Sequence, residues 1–575
     1  MKKNKLYTKL IAIIGLLFFT SCETIELDKS NNPFALTPDK ADVDFLFNGI
    51  EEDFVRQLEG DADYSAGDNW GSGGSTNGDG LSLFGMELTR LVALANTNAQ
   101  SYASAYGDTD SDDEWTNFYA GIRANSIAMT KLATVSGRNK HIAIAQFIEA
   151  YTMTAMVDFY GDIPYSEANL GVENLNPKVD TGASVYAAAI VLLDKSITNF
   201  SSPSTAATNP KTELFYGNNF TKWIKAANTL KMKLYLQTRL VDATAITKFN
   251  AIVASGNYIT ATADDLVYNW GGTSASNPDN RHPRYGLNYT ATGAGDYCSN
   301  WLMNTMFTTT DPRIRYFFYR QRNAVPGQEV APDEQTLKCS LSIAPAHYVA
   351  GGFTFCSLPS GYWGRDHGDS DGTPPDGFLK TTWGVYPAGG KFDNSNFANI
   401  SATAGASGKG ITPILLASWV DLMKAEVALV QNNPTLAKTE MINGINKSIA
   451  KVMSFGPKDP AFDPASPRVP TATRITTYIN FISSSWDDAD TVGKWNIFGV
   501  QSLIADYGNG VEAYNFYRRT GYPTSLQPNR SASPGGYIRS LYYPSAAVDT
   551  NVNINQKANQ SVPVFWNTNA SPVAN

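Results

Sequence analysis

The stretch His141–Tyr160, "HIAIAQFIEAYTMTAMVDFY", constrains the fold more than any other part of the chain. Ile144, Ile148, Tyr151, Ala155 and Phe159 recur at helical spacing on one stripe, and alanine fills much of the remainder. A helix of this composition has to be buried on more than one side. "GDIPYSEA" ends it, with Gly161 suited to the left-handed C-terminal position and Pro164 just beyond. Further helical periods fall near 117–133, 184–199, 218–242 and 414–430. In these, Val185, Ala189, Leu192, Leu193 and Ile197, then Trp223, Ala227, Leu230 and Leu234, then Leu416, Trp419, Met423, Val427 and Val430 point inward. The expected fold class is mostly α.

Between about 257 and 410 this period is lost, apart from a short helix near Asn300–Phe307. The stretch is rich in Gly, Asn, Pro and aromatic residues. A segment of that length without regular structure inside a compact protein is usually functional. "ADYSAGDNWGSGGSTNGDG" (62–80) is a second such loop, with Trp70 its one large ring. No fixed-period repeat is visible.

The N-terminus sets the compartment. Lys2, Lys3, Lys5 and Lys9 precede an apolar run, Leu10–Phe19, too short to span a hydrocarbon core as a helix. The run ends in "FTSC", which resembles the lipobox of bacterial lipoproteins, with Phe19 where leucine is usual. Residues 1–21 then form a signal peptide and Cys22 a lipid anchor, each buried methylene contributing about 0.8 kcal/mol of membrane affinity. Residues 22–40 read as an exposed leader, and 41–575 as the folded body. A net charge of −8 argues against nucleic acid as a partner. Cys339 and Cys356 lie close enough in sequence to pair in an exported protein, leaving Cys298 over. No CxxC or His/Cys cluster marks a metal site.

The order of motifs carries a resemblance. "AIAQFIEAYTMTAMVDFYGDIPYSEA", "VYAAAIVLLDKSI" and "FYGNNFTKWIKAANTLKMKLYLQTRL" are followed by "DPRIRYFFY", "LLASWVDLMKAEVAL", "EAYNFYRRTGYP" and "IRSLYYPSAAVDTN". This set resembles the SusD/RagB family of outer-membrane lipoproteins over nearly the whole mature chain. The resemblance implies a single SusD-like domain. Tetratricopeptide-like helix pairs would form a scaffold over about 41–256 and 411–520, and an irregular insertion, about 257–410, would build the ligand face. It further implies a lipid-anchored, cell-surface protein of the outer membrane, without catalysis or cofactor. Such a protein binds oligosaccharides, or peptides in the RagB branch, and delivers them to a SusC-like TonB-dependent barrel.

Within the insertion, "GYWGRDHGDSDGTPPD" (361–376) admits three chemistries. An EF-hand is excluded because His367 and Phe378 occupy its first and twelfth positions, though an irregular calcium site on Asp366, Asp369 and Asp371 stays open. A glycoside hydrolase would need two carboxyls about 5–9 Å apart across a sugar, which any acidic loop can offer. No GxSxG, HExxH or phosphate-binding glycine loop is present. The third reading is a sugar site of exposed rings and forked polar groups. Tyr362, Trp363, Trp383 and Tyr386 supply rings, Arg365 and Asp366 bond hydroxyls, and Asp68, Asn69 and Trp70 join from the early loop. The competing reading is a buried turn cluster of Trp363 and Trp383, with Arg365 and Asp366 a structural ion pair.

Overall fold

Helix pairs dominate the computed structural model, which describes residues 41–60, 80–274, 279–323, 337–371 and 376–569. The chain from Val43 onward forms one compact unit. Its first half contains α1 (Val43–Glu59), α2 (Leu81–Leu88), α3 (Ala124–Val135), α4 (Asn139–Tyr160), α5 (Gly182–Ser201), α6 (Phe220–Gln237) and α7 (Ala245–Ser255). Its second half contains α8 (Asn300–Thr308), α9 (Ala417–Val430), α10 (Pro434–Met453), α11 (Ala472–Asp488), α12 (Thr491–Ala505) and α13 (Gly510–Thr520). Neighbours in sequence pack on one another: α4 on α5, α6 on α7, α9 on α10 and α11 on α12.

The helix expected over 141–160 is α4, and apart from Asn139 and Gln146 every residue in it is buried. Gly161 ends it with φ +81° and ψ −126°, a positive φ as expected but outside the left-handed helical well. Two other expectations need correction. The segment expected as one helix over 117–133 begins as a π-helical turn, Asn117–Arg123, before α3. Residues 414–416 are not helical: Ile411–Leu415 is a strand paired with Leu266–Asn269, and Leu416 keeps extended angles as the cap of α9. An apolar run of alternating burial need cannot distinguish a covered strand from a helix start.

The two halves meet at glycines. A Cβ on Gly85 of α2 would lie 2.0 Å from the carbonyl oxygen of Gly510, and one on Gly510 would lie 1.9 Å from that of Ser82. Only bare backbone permits α2 and α13 to touch there.

Buried polar groups fasten the layers. The Asp158 carboxylate on α4 accepts hydrogen bonds from Trp566 Nε1 at 2.8 Å, Asn515 Nδ2 at 2.6 Å and the Tyr186 hydroxyl. Arg518 Nη1 donates to the Asp158 carbonyl at 2.6 Å, with its guanidinium on the rings of Tyr514 and Trp566. Burial pushes the Asp158 carboxyl up, and Arg518 and the hydrogen bonds oppose it. A second clamp joins the turn after α6 to α9 and α13: Glu426 accepts both Nε and Nη2 of Arg519 at 2.8 Å and Nε of Arg239 at 3.0 Å. Among the described residues no helix is long and apolar enough to cross a membrane.

At the end of α1, Glu59 is buried near His282, whose Nε2 lies 3.9 Å from Glu59 Oε1. His282 Nδ1 accepts the Arg284 N–H at 3.1 Å, so the ring's remaining hydrogen sits on Nε2. Burial raises the Glu59 carboxyl to about 7, with Arg284 and Thr412 opposing. The native carboxyl therefore holds its proton more tightly than in the unfolded chain. Stability falls as pH rises from about 4.5 towards 7 and is flat above.

Two outcomes are expected. Asp158→Ala strands the donors of Tyr186, Asn515 and Trp566 and the Arg518 charge, costing about 3–5 kcal/mol in denaturant unfolding. Glu59→Gln has little effect on thermal unfolding at pH 4.5 and stabilises progressively to pH 8, by at most about 3 kcal/mol; a gain independent of pH would contradict the buried, proton-binding carboxyl.

Candidate functional site

The 361–371 segment is a keystone, not an open loop. Tyr362, Trp363, Arg365 and Asp366 are 3, 4, 2 and 0% exposed, and Trp383 and Tyr386 are each 2% exposed. Arg365 N–H donates to the Cys298 carbonyl and Gly368 N–H to that of Leu94, while Arg530 N–H donates to His367 O. The segment thus crosses three distant parts of the chain. His367 Nε2 lies 3.0 Å from the Tyr102 hydroxyl, and burial together with the Arg90 charge holds the ring neutral.

Six expected ligand contacts are accordingly structural. Trp383 stacks on Tyr507 at 5.1 Å, Tyr507 on Phe317 at 4.3 Å and Phe317 on Tyr386 at 5.6 Å, a buried column of four rings. Trp363 packs with Leu337 against the Cys339–Cys356 disulfide. Arg365 pairs with Asp369 at 3.2 Å, not with Asp366, and lies over the Tyr297 ring. Asp366 accepts from Asn300 Nδ2 at 2.9 Å, the Cys356 N–H at 2.6 Å and Gln527 Nε2 at 3.0 Å, and burial raises its carboxyl. A sugar cannot reach any of these side chains without opening the core. Asp68, Asn69, Trp70 and Cys22 lie outside the described residues.

The calcium expectation meets a chemical obstacle. Arg530 Nη1 bonds Asp369 Oδ1 at 2.7 Å and also pairs with Asp371, so guanidinium groups occupy the place of a cation between these acids. Among the described residues no three His, Cys, Asp or Glu side chains gather as a metal site.

One open part of the insertion, among the described residues, is a short asparagine loop, "DNSNFAN" (393–399). Two arginines of the "DPRIRYFFYR" segment grip it from below. Arg320 Nε donates to Asp393 Oδ2 at 2.6 Å, its Nη1 to Ser360 O at 2.6 Å and its Nη2 to Ser395 Oγ at 3.1 Å. Arg315 Nη1 donates to Asp393 O at 2.9 Å and Ser395 Oγ at 3.0 Å. Burial disfavours the Arg320 charge, and Asp393 more than offsets it, leaving the group above its usual range. The Tyr319 hydroxyl closes the far side, donating to Ala398 O at 2.8 Å.

So held, the loop takes angles that side chains rarely adopt: φ is +66° at Ser395 and +49° at Phe397. For a ring-bearing residue this is an outlier that surrounding structure must enforce. It presents Phe397, half-buried, above the Arg320 guanidinium at 5.1 Å, with the Tyr362 ring 4.8 Å from the same guanidinium. Of the expected residues only Tyr362 comes near this loop, buried beneath the Arg320 guanidinium and out of a ligand's reach. Around Phe397 stand Asn394, half-buried, and Asn396 and Asn399, exposed. A partly exposed ring beside carboxamides offers an apolar face and paired donors and acceptors. The signal in sequence was a lone Phe among three asparagines, weaker than the tryptophan-rich stretches upstream.

Residues 82–334 match a family described as "Starch-binding associating with outer membrane", and residues 381–565 one described as "Susd and RagB outer membrane lipoprotein". No curated protein matches the chain in sequence. Solved structures share the fold. A SusD/RagB family protein from Bacteroides thetaiotaomicron is 17% identical with a TM-score of 0.62, over 92% of this chain and 100% of that one. A SusD homologue from Bacteroides uniformis is 18% identical with a TM-score of 0.59, over 92% and 100%. A chitin-binding SusD homologue from Flavobacterium johnsoniae is 17% identical with a TM-score of 0.59, over 92% and 99%. The ordered motifs, the helix-pair architecture and two family matches that together span most of the folded body place this chain in the SusD/RagB family of outer-membrane lipoproteins.

Proposed function

We propose that the protein is a surface receptor for oligosaccharides, anchored through Cys22, that passes its ligand to a SusC-like TonB-dependent barrel and performs no chemistry on it. The Phe397 loop carries this reading. Its ring offers a sugar C–H face a platform, while the amides of Asn394, Asn396 and Asn399 match hydroxyls that both give and accept hydrogen bonds. Chitin-binding proteins among the structural neighbours favour a glycan over a peptide and make chitin oligosaccharides natural first probes. Family membership supports the barrel as partner.

The non-catalytic reading is supported by the fate of the acids in the 361–376 segment. Asp366 is buried under three hydrogen bonds, and Asp369 and Asp371 are held by arginine. A hydrolase needs two carboxyls facing one open sugar site.

Titration of the chain with chitin, malto- and cello-oligosaccharides by calorimetry is expected to show binding to at least one series. Phe397→Ala should weaken it about 10–100-fold, the equivalent of burying one aromatic side chain. Peptide binding in place of every glycan would move the protein to the RagB branch, and release of reducing ends would make it an enzyme.

A further inference from the structure

A cleft of about 410 Å³ opens between α9, α10 and the segment that follows α7. It shares no residue with the Phe397 loop. Asn443, Asn446 and Lys447 lie three and four residues apart on α10 and face it together, while Asp421 and Lys424 face it from α9. Tyr258 and Thr260 close the remaining wall.

Part of this lining is already fixed. Lys447 Nζ lies 2.7 Å from Asp421 Oδ2 and donates to the Thr260 carbonyl at 2.8 Å. Lys424 Nζ donates to Glu440 Oε2 at 2.7 Å and lies 3.6 Å from Asp421 Oδ1. Two ammonium groups therefore stand against two carboxylates. The cleft carries no surplus charge with which to hold an anion or a cation.

The rest of the lining is unspent. The carboxamides of Asn443 and Asn446 are exposed and make no side-chain hydrogen bond within the described residues, and neither does the Tyr258 hydroxyl. Each ammonium has three hydrogens, of which Lys447 commits one to Thr260 while it stands in ion-pair contact with Asp421. Donors and acceptors both line this hollow, whose charges are paired, a combination that suits groups able to do both. Hydroxyls do so; phosphates, carboxylates and ammonium groups do not. The volume lies at the lower end for small-molecule sites.

We propose that this cleft is a second binding site, for a neutral, hydroxyl-rich ligand of one or two sugar rings. Asn443 and Asn446 bond the hydroxyls directly, and the Lys447–Asp421 pair supplies a pre-arranged donor and acceptor beside them. The ligand class follows from the cleft's own chemistry and stands whether or not the Phe397 loop binds a glycan.

The test is calorimetric titration of the full chain in detergent with maltose, cellobiose and chitobiose, for the parent chain, for Asn443→Ala/Asn446→Ala and for Phe397→Ala. Both asparagines are exposed, and circular dichroism checks that the double variant folds. The expected result is a binding event that the double variant weakens at least tenfold and Phe397→Ala leaves unchanged. The proposal is overturned if the double variant titrates as the parent does, if Phe397→Ala abolishes all binding, or if none of the three disaccharides binds.

Discussion

The fold depends on one buried carboxylate. Asp158 sits at the end of the most enclosed helix and receives donors from residues 186, 515 and 566, so helices far apart in sequence close around a single acceptor. An ionisable group so buried is costly unless every lone pair is used, and here the donors are specific in position as well as in type. A mispacked α5, α13 or C-terminal segment would leave that carboxylate short of partners. The apolar core supplies the bulk of the driving force, but apolar contact is tolerant of register. The Asp158 cluster is not.

The same economy governs the irregular block. A long segment with little helix or sheet has backbone groups to satisfy, and burying it demands partners for each. The described residues of 361–386 find them in the Cys298 and Leu94 carbonyls and in the short pairing of Thr382–Trp383 with Phe318–Tyr319, while the Arg365, Asp366 and His367 side chains are drawn inside to bond neighbours. Its tryptophans and tyrosines fill the volume between these polar links, and the four-ring column through Tyr507 and Phe317 is the result. Rigidity made this way has a use. Arg315 and Arg320 emerge from the block's edge and spend their hydrogen bonds on the loop that lifts Phe397 towards solvent. A site whose ring is positioned before the ligand arrives loses less ordering entropy on binding.

Legibility differed by element. α4, α5, α6 and α9 could be read from their periodic apolar stripes. α10 to α13 were also marked, though more quietly, by caps: Asn433 before Pro434, Thr471, Asp490 and Asn509 each accept a backbone N–H at the first turn. Six of the expected ligand contacts fell on buried positions because tryptophan, arginine and aspartate among glycines look the same in sequence whether they line a groove or plug a core. Arg365 illustrates this: it was expected to bond sugar hydroxyls or, in the competing buried reading, to pair with Asp366, yet Asp369 takes its charge, and Asp366 turns to three neutral donors instead.

What the sequence by itself determined was the helical scaffold and the family, because periodicity and motif order are local and read in one dimension. Only the tertiary structure decided which rings are covered. Burial depends on what lies across from a residue, and for Tyr362, Trp363, Trp383 and Tyr386 that neighbour comes from a distant part of the chain, whereas Phe397 is held partly clear by two arginines some eighty residues earlier.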